Sequence, residues 1–482
     1  MTVPALRLRL GNDQPTRPDR DVVVYWMIGA RRSSSSFGLD RALEHSRRLQ
    51  RPLLVFEPLR AGYRWASDRH HAFVVEGMRA NARAFADAGV ACFPYLEPVP
   101  GAGQGLLAAL AQQACVVVTD EALGFFQPHM IAAAGRALDV SLEVVDGNGL
   151  LPLRAVDRAY PSAAHFRRAL QKLLPAHLAT LPAARPFAAR PSLPRAVVPA
   201  AVLARWAPAA LHEERPWSAL PIDHGVAPSP TLRGGSDVGQ QRLRAFIGSG
   251  LARYHERSHP DLDGSSGLSP WLHFGHVGAH EVFAAVAAHE GFDPSRAGGT
   301  TSGAKEGFWG LSQNAEAFLD EVVTWRELAH NGALFLPGFD TFTVPEWART
   351  SLARHAADAR PPPPTPRQLD EGATDDDIWN AAQRQLRVEG VMHNYLRMLW
   401  GKRVLAWSSS PQAAFDTLVE LNNRYALDGR DPNSYAGIAW CFGRYDRPWP
   451  ERPVFGVVRT MSSARTAQKL EMKKYLATWG RR

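Results

Sequence analysis

Short apolar runs rich in β-branched residues recur in the first third of the chain, at 22–27, 52–56, 90–95, 115–119 and 142–145. Longer stretches with apolar residues at helical spacing lie between them, at 39–49, 70–88, 106–113 and 128–138. Strand and helix in alternation predict parallel pairing, and runs apolar on both faces suit a sheet covered by helices on both sides. Residues 1–174 are therefore expected to form a doubly wound, Rossmann-like α/β domain. Eleven prolines between 175 and 230 disfavour helices and central strands, so 175–235 reads as an interdomain linker. From 236 to 482 the pattern changes to long amphipathic stretches, at 239–256, 277–289, 315–333, 375–388 and 392–407, which predict an all-helical second half. A Gly-Ser-rich insert at 298–303 and a proline run at 361–364 read as exposed loops.

The 482 residues allow two or three domains, and 45% hydrophobic with 21% charged residues excludes a disordered chain or a membrane bundle. The net charge is +8, and residues 421–482 carry twelve basic and five acidic side chains, so +7 of it sits there. A concentrated basic surface suits a polyanion, although a solubilising face has the same composition. Cys92, Cys115 and Cys441 lie far apart without Cys-x-x-Cys spacing, which argues for a reducing compartment and against structural zinc. The N-terminus lacks the apolar core of a signal peptide and no run approaches the ~20 apolar residues of a membrane span, so a cytoplasmic protein is expected.

Familiar catalytic motifs are missing. The glycines at 101, 103 and 105 lack the spacing of a dinucleotide fingerprint, and there is no Walker A loop, nucleophile elbow or zinc-protease motif. His70 and His71 are adjacent and point to different helix faces, which predicts a surface pair rather than a shared metal. The fourteen tryptophans say more. Trp400 and Trp407 are seven residues apart, on one helix face about 10.5 Å along the axis, and Gly390 separates that helix from the one carrying Trp379. Core packing explains such a trio; beside a redox centre it would also relay an electron.

The run Asp-Gly-Ser-Ser-Gly-Leu-Ser-Pro-Trp-Leu-His-Phe-Gly at 263–275 resembles the flavin-phosphate loop of DNA photolyases and cryptochromes, and Trp-Arg-Glu-Leu-Ala-His-Asn at 325–331 is similar to that family's lesion-contacting helix. Trp-Asn-Ala-Ala-Gln at 379–383, Met-His-Asn-Tyr-Leu-Arg-Met at 392–398, Leu-Asn-Asn-Arg-Tyr-Ala-Leu-Asp-Gly-Arg-Asp-Pro-Asn at 421–433 and Arg-Pro-Val-Phe-Gly at 452–456 follow in order, and together they resemble class II cyclobutane pyrimidine dimer photolyases. The resemblance covers the helical half continuously and the α/β half more loosely. It implies an antenna-type α/β domain followed by a helical domain that binds FAD and DNA.

What the resemblance implies for single residues can be set beside their chemistry. Ser265, Ser266 and Ser269, with Leu268 and the upstream Tyr254, would hold the pyrophosphate at a helix start, where serine is also an ordinary N-cap. Arg397 would hold a negatively charged reduced flavin or pair with an acid, Asn422 would sit opposite flavin N5, and Asp428 would accept from the ring's N3 side or the ribose. Glu327 would hydrogen-bond the pyrimidine dimer, and Met398 and Trp440 would form apolar walls for the flipped lesion. Arg430 and Arg452, with Arg444, Arg447 and Lys473, would hold flanking phosphates. Trp379, Trp400 and Trp407 would reduce an oxidised flavin from the surface. The expected activity is light-driven splitting of cyclobutane dimers in UV-damaged DNA by a monomer, without a metal. The alternatives are a cryptochrome-like photoreceptor without repair activity, and a flavin-free nucleic-acid-binding scaffold. Residues 28–37 and 120–123 depart from the family pattern, which leaves a second, antenna chromophore open.

Overall fold

The computed structural model describes residues 2–188, 193–262, 264–294, 297–298 and 301–480. Asp263 of the phosphate-loop motif, Gly299 and Thr300 of the Gly-Ser insert, and Arg481 and Arg482 of the basic tail lie outside the described residues.

The N-terminal half is built on one six-stranded sheet of β1 (Leu8–Leu10), β2 (Val22–Trp26), β3 (Leu53–Leu59), β4 (Ala91–Leu96), β5 (Ala114–Asp120) and β6 (Leu142–Val145), in the order β1-β6-β5-β2-β3-β4. Helices α1 (Phe37–Leu49), α2 (Asp68–Asp87), α3 (Leu106–Ala111) and α4 (Gln127–Ala137) connect the strands. Strands β2 to β6 pair in parallel, as their two-sided apolar runs predict. The periodicity misses β1, which pairs antiparallel with β6 along three residues, too few to show alternation.

The strand order reverses between β2 and β5, the place where doubly wound folds open a crevice. Here Asp120 ties the loop after β2, and a cavity lined by Gly29, Ala30, Asp120, His273 and Arg326 opens beside it. One oxygen of Asp120 accepts the backbone amides of Ile28, Gly29 and Ala30 at 2.9–3.1 Å, and the other accepts the Tyr25 hydroxyl at 2.7 Å.

Helix α5 (Ala163–Leu173) turns its apolar face into the core of the helical half, and Arg167 on it pairs with Asp320 at 2.7 Å. The proline-rich stretch is not bare coil. It forms the short α6 (Ala200–Arg205), and Val202, Trp206, Trp217 and Leu220 are buried against the sheet domain. The helical half then runs through α7 (Ser236–Ala245), α8 (Ser269–His273), α9 (Ala279–His289), α10 (Gln313–Leu319), α11 (Arg326–Phe335), α12 (Glu346–Arg354) and α13 (Pro366–Glu371). It continues through α14 (Asp377–Glu389), α15 (Asn394–Trp407), α16 (Pro411–Tyr425), α17 (Pro432–Trp440), α18 (Ser463–Lys469) and α19 (Lys473–Trp479). Two stretches predicted as single helices are interrupted: 239–256 by a π-turn at Phe246–Gly250 and a 3-10 turn at Leu251–Glu256, and 315–333 by a π-turn at Asp320–Trp325. Among the described residues no helix is long and apolar enough to cross a membrane.

The two halves are joined by buried side chains that hydrogen-bond across to backbone. The expected surface pair His70 and His71 is fully buried: His70 lies between the carbonyls of Trp65 and Ala426, and His71 against that of Ser67. Neighbouring Arg69, 2% exposed, donates to the carbonyls of Leu386, Arg387 and Val388 at the end of α14, to that of Tyr425 at the end of α16, and to Ala227, at 2.5–3.1 Å. It supplies the partners that the last carbonyls of a helix otherwise lack. Replacing Arg69 with Met takes its donors from these carbonyls, that of Tyr425 being buried, and the cost expected is about 2–4 kcal/mol. A urea titration checks this; an unchanged midpoint contradicts it.

Candidate active site

The phosphate-loop motif leaves the end of the Leu251–Glu256 turn at close quarters. A side chain at Gly264 would meet the Arg253 carbonyl and the Arg257 amide at 2.9 Å, and Gly267 takes φ +64°. Arg242 on α7 holds the loop by donating to the carbonyls of Ser266 at 2.8 Å and Ser265 at 3.3 Å. Ser265 and Ser269 are exposed, Ser266 is half-buried and its hydroxyl accepts from the Leu268 amide, and Leu268 is buried in the core. The helix that follows has only five residues, so its dipole adds little and the loop's own amides and hydroxyls must do the binding. Tyr254 is packed in an aromatic cluster with Phe246 and Phe318, with the Arg257 guanidinium 4.6 Å over its ring.

Asp261, just before the loop, accepts the first amides of α19, from Lys474 and Tyr475, at 3.0 and 2.8 Å. The Tyr475 hydroxyl in turn donates to Gln385, which also accepts the His393 amide at the start of α15. One turn into α15, Arg397 pairs with Asp428 at 3.0 Å, both part-exposed within the helical body. The loop carrying Asp428 is fixed from below. The Leu427 amide donates to Gly390, and a Cβ at Gly429 would come within 3.0 Å of the Ala426 and Asn422 carbonyl oxygens, a tight contact.

Asn422, 2% exposed at the end of α16, donates to Ser434 at 2.8 Å and to Asn423 at 3.1 Å. The buried Asn423, which the sequence reading passes over, donates to the Tyr435 hydroxyl and accepts the Arg430 amide. Loop hydroxyls, an arginine–carboxylate pair and a buried amide form the donor and acceptor set that a pyrophosphate and the polar edge of a planar ring require, so the residues present fit FAD.

Several expected contacts fall elsewhere. Both oxygens of Glu327 are taken by the backbone amides of Leu150 at 2.7 Å and Leu151 at 3.1 Å, so this residue clasps the two halves. The available acid is Glu321, in the π-turn that leads into that helix, with 41% of its side chain exposed and Arg257 at 3.9 Å. Burial and neighbouring Asp320 push its carboxyl up, against the pull of Arg257. The sequence signal for it is the apolar stripe of Val322, Val323, Leu328 and Ala329, which buries the opposite side.

Arg430 takes φ +66° and is buried against the α/β half, its guanidinium 5.9 Å from the Tyr63 ring and 5.8 Å from that of Phe274, and Arg444 is buried on the carbonyls of Phe339 and Thr343. Neither reaches a surface phosphate. Arg447, Arg452 and Lys473 are exposed. Met398 and Trp440 are half-buried, and the Trp440 ring has Lys402 Nζ at 5.0 Å and Arg459 at 5.3 Å. Burial lowers the Lys402 ammonium to about 8. Trp379, Trp400 and Trp407 come together as a packed trio, but all three are at most 2% exposed, so none forms the surface end of a relay.

An α/β domain of mainly parallel strands joined to a helical domain with a hydroxyl-rich loop is an architecture shared with photolyases and a cryptochrome. The fold matches a bacterial class III photolyase from Agrobacterium tumefaciens (TM-score 0.67, 18% identity, covering 95% of this chain and 86% of that one). It also matches an archaeal photolyase from Sulfolobus tokodaii with two FAD molecules (0.66, 14%, 95% and 90%) and the Synechocystis cryptochrome (0.67, 14%, 95% and 88%). No protein-family model matches the sequence. Among curated proteins the chain is 30% identical over 479 residues to the deoxyribodipyrimidine photo-lyase of Methanothermobacter thermautotrophicus, covering 97% of each, and 28% identical over 482 residues to that of Potorous tridactylus, covering 97% of this chain and 83% of the relative. The chain belongs to the deoxyribodipyrimidine photo-lyase family.

Glu327 gives the joint between the two halves a pH signature. Burial raises its carboxyl to about 7, against the pull of the two amides and of Arg326 and Arg7, whereas in the unfolded chain a glutamate titrates near 4.3. The folded state therefore binds the proton more tightly, and this contribution to stability is full below about pH 4 and falls as pH rises to about 7. Thermal unfolding followed from pH 5 to 7.5 is expected to show this fall in the wild type and to lose it in Glu327→Gln; equal slopes contradict the assignment.

Proposed function

We propose that the chain binds FAD in its helical half and repairs UV-damaged DNA by light-driven splitting of cyclobutane pyrimidine dimers, as a photolyase of class II type. The observation that carries this reading is the half-open Arg397–Asp428 pair, whose acid lies six residues along the chain from the buried Asn422. Fully reduced FAD, when bound, supplies a photo-excited electron donor. The chain's own residues do the rest. Ser265, Ser266 and Ser269 hold the pyrophosphate, Arg397 balances the negative charge of the reduced ring, and Asp428 and Asn422 orient its polar edge.

The lesion is taken flipped from the duplex, which is least costly at a damaged, poorly paired step. Met398 and Trp440 form its apolar walls. Glu321, in the place first given to Glu327, donates a hydrogen bond from its raised carboxyl or accepts one in its ionised form. Arg447, Arg452 and Lys473 neutralise flanking phosphates. Trp400, Trp379 and Trp407 form an electron relay that returns an oxidised flavin to the active state.

The test is illumination of the FAD-loaded protein with a dimer-containing oligonucleotide while dimer loss is followed. Light-dependent loss is expected, with Glu321→Gln lowering the yield by up to about tenfold, the worth of one charge-assisted hydrogen bond, and Arg397→Met weakening FAD retention by about tenfold or more. Flavin that photoreduces while dimers persist would instead mark a photoreceptor, a role consistent with the shared cryptochrome fold. A purified protein that takes up no flavin sinks both readings.

A further inference from the structure

The three indoles are not equivalent. Trp379 and Trp400 lie nearly parallel, 10° between planes and 6.2 Å between centroids, while Trp407 meets Trp379 edge-on at 5.5 Å. Each of the inner two donates its indole N–H at 3.0 Å: Trp379 to the carbonyl of Trp400, and Trp400 to Oε1 of Gln383. Trp407 Nε1 is buried without an acceptor, and the Arg403 guanidinium lies 4.4 Å over its ring. Arg403 is held there by Asp376 at 2.8 Å. The other oxygen of Asp376 accepts the Trp379 backbone amide at 3.0 Å.

A neutral indole attracts a cation through its ring face. An indole that has lost an electron is itself a cation, and the same guanidinium then repels it with little solvent between them. An acceptor on the indole N–H stabilises the oxidised form, because the donor has become charged; Trp379 and Trp400 have one and Trp407 has none. Asp376 reinforces the bias by directing its second oxygen to Trp379. These effects point the same way.

We propose that Arg403 sets the energy of the outer site, keeping an electron hole on the Trp379–Trp400 pair and off Trp407. The inference rests on the relay reading above. One electron leaves the pair for the photo-excited oxidised flavin. The pair keeps its protons, since its acceptors are carbonyl oxygens, and carries one positive charge until an external thiol returns one electron and releases a proton, two of the resulting thiyl radicals from successive turnovers combining to a disulfide. Trp407 is thus a raised step whose use Arg403 restricts.

Flash excitation of the protein loaded with oxidised FAD, read by transient absorption of the tryptophan radical cation, tests this, together with the yield of reduced flavin under steady light with thiol. Arg403→Gln and Arg403→Met, which remove the charge, are expected to lengthen the life of the separated charges and raise the yield several-fold. Arg403→Lys keeps the cation and stays near the wild type. In Arg403→Gln combined with Trp407→Phe the gain disappears, because the site it opened is gone. An unchanged or lower yield in the charge-removing variants, with far-UV dichroism as in the wild type, overturns the inference alone, as does a gain that survives the loss of Trp407. If Trp379→Phe photoreduces like the wild type, the relay itself fails, and the inference with it.

Discussion

The helical half depends on a charge supplied by the other half. Arg69, buried on α2, ends α14 and α16 at once by donating to their last carbonyls, and so fixes the spacing between the two helices that flank the Asp428 loop. Burial lowers its guanidinium to about 10, yet it stays charged at neutral pH and the carbonyl dipoles compensate it. The loop that carries Asp428 is therefore positioned by the interface rather than by the helical domain alone. Gly390, with φ +78°, lets the chain turn beneath Arg69 and accept the Leu427 amide, which places Asp428 opposite Arg397.

The charged groups of the interior divide into two sets by what they touch. Arg69, Glu327, Asp120, Arg430 and Arg444 are satisfied by backbone or packed on rings, and hold the fold. Arg397, Asp428 and Glu321 remain part-exposed inside the helical body, with partners that a ligand can share. A buried ion pair adds little net stability for its desolvation cost, so a half-open one inside the fold is better explained by ligand than by stability. The excess of positive charge near the C-terminus follows the same rule: only its exposed members can meet phosphates.

Much of this was legible in the sequence. The two-sided apolar runs of β2 to β6 announced a parallel sheet, the spacing of Trp379, Trp400 and Trp407 announced a packed trio, and Arg397 meets Asp428 as an acid partner. What was missed has physical causes. Three-residue β1 is too short for a period, and the burial of His70 is set by the end of α16, far away in sequence. The direction of Glu327 was illegible because the π-turn at Asp320–Trp325 changes the helical register just before it. Arg430 reads as a surface cation until its positive φ turns it into the interface.

The central claim is that the loop at 264–269 and the Arg397–Asp428 pair hold one flavin. A crystal structure of the protein with FAD tests it most directly. The account predicts the pyrophosphate on Ser265, Ser266 and Ser269, the ring edge within hydrogen-bond distance of Asp428 and Asn422, and the Arg397 guanidinium beside the ring. A flavin bound only in the α/β half, or a ring turned away from Arg397 and Asp428, would contradict it.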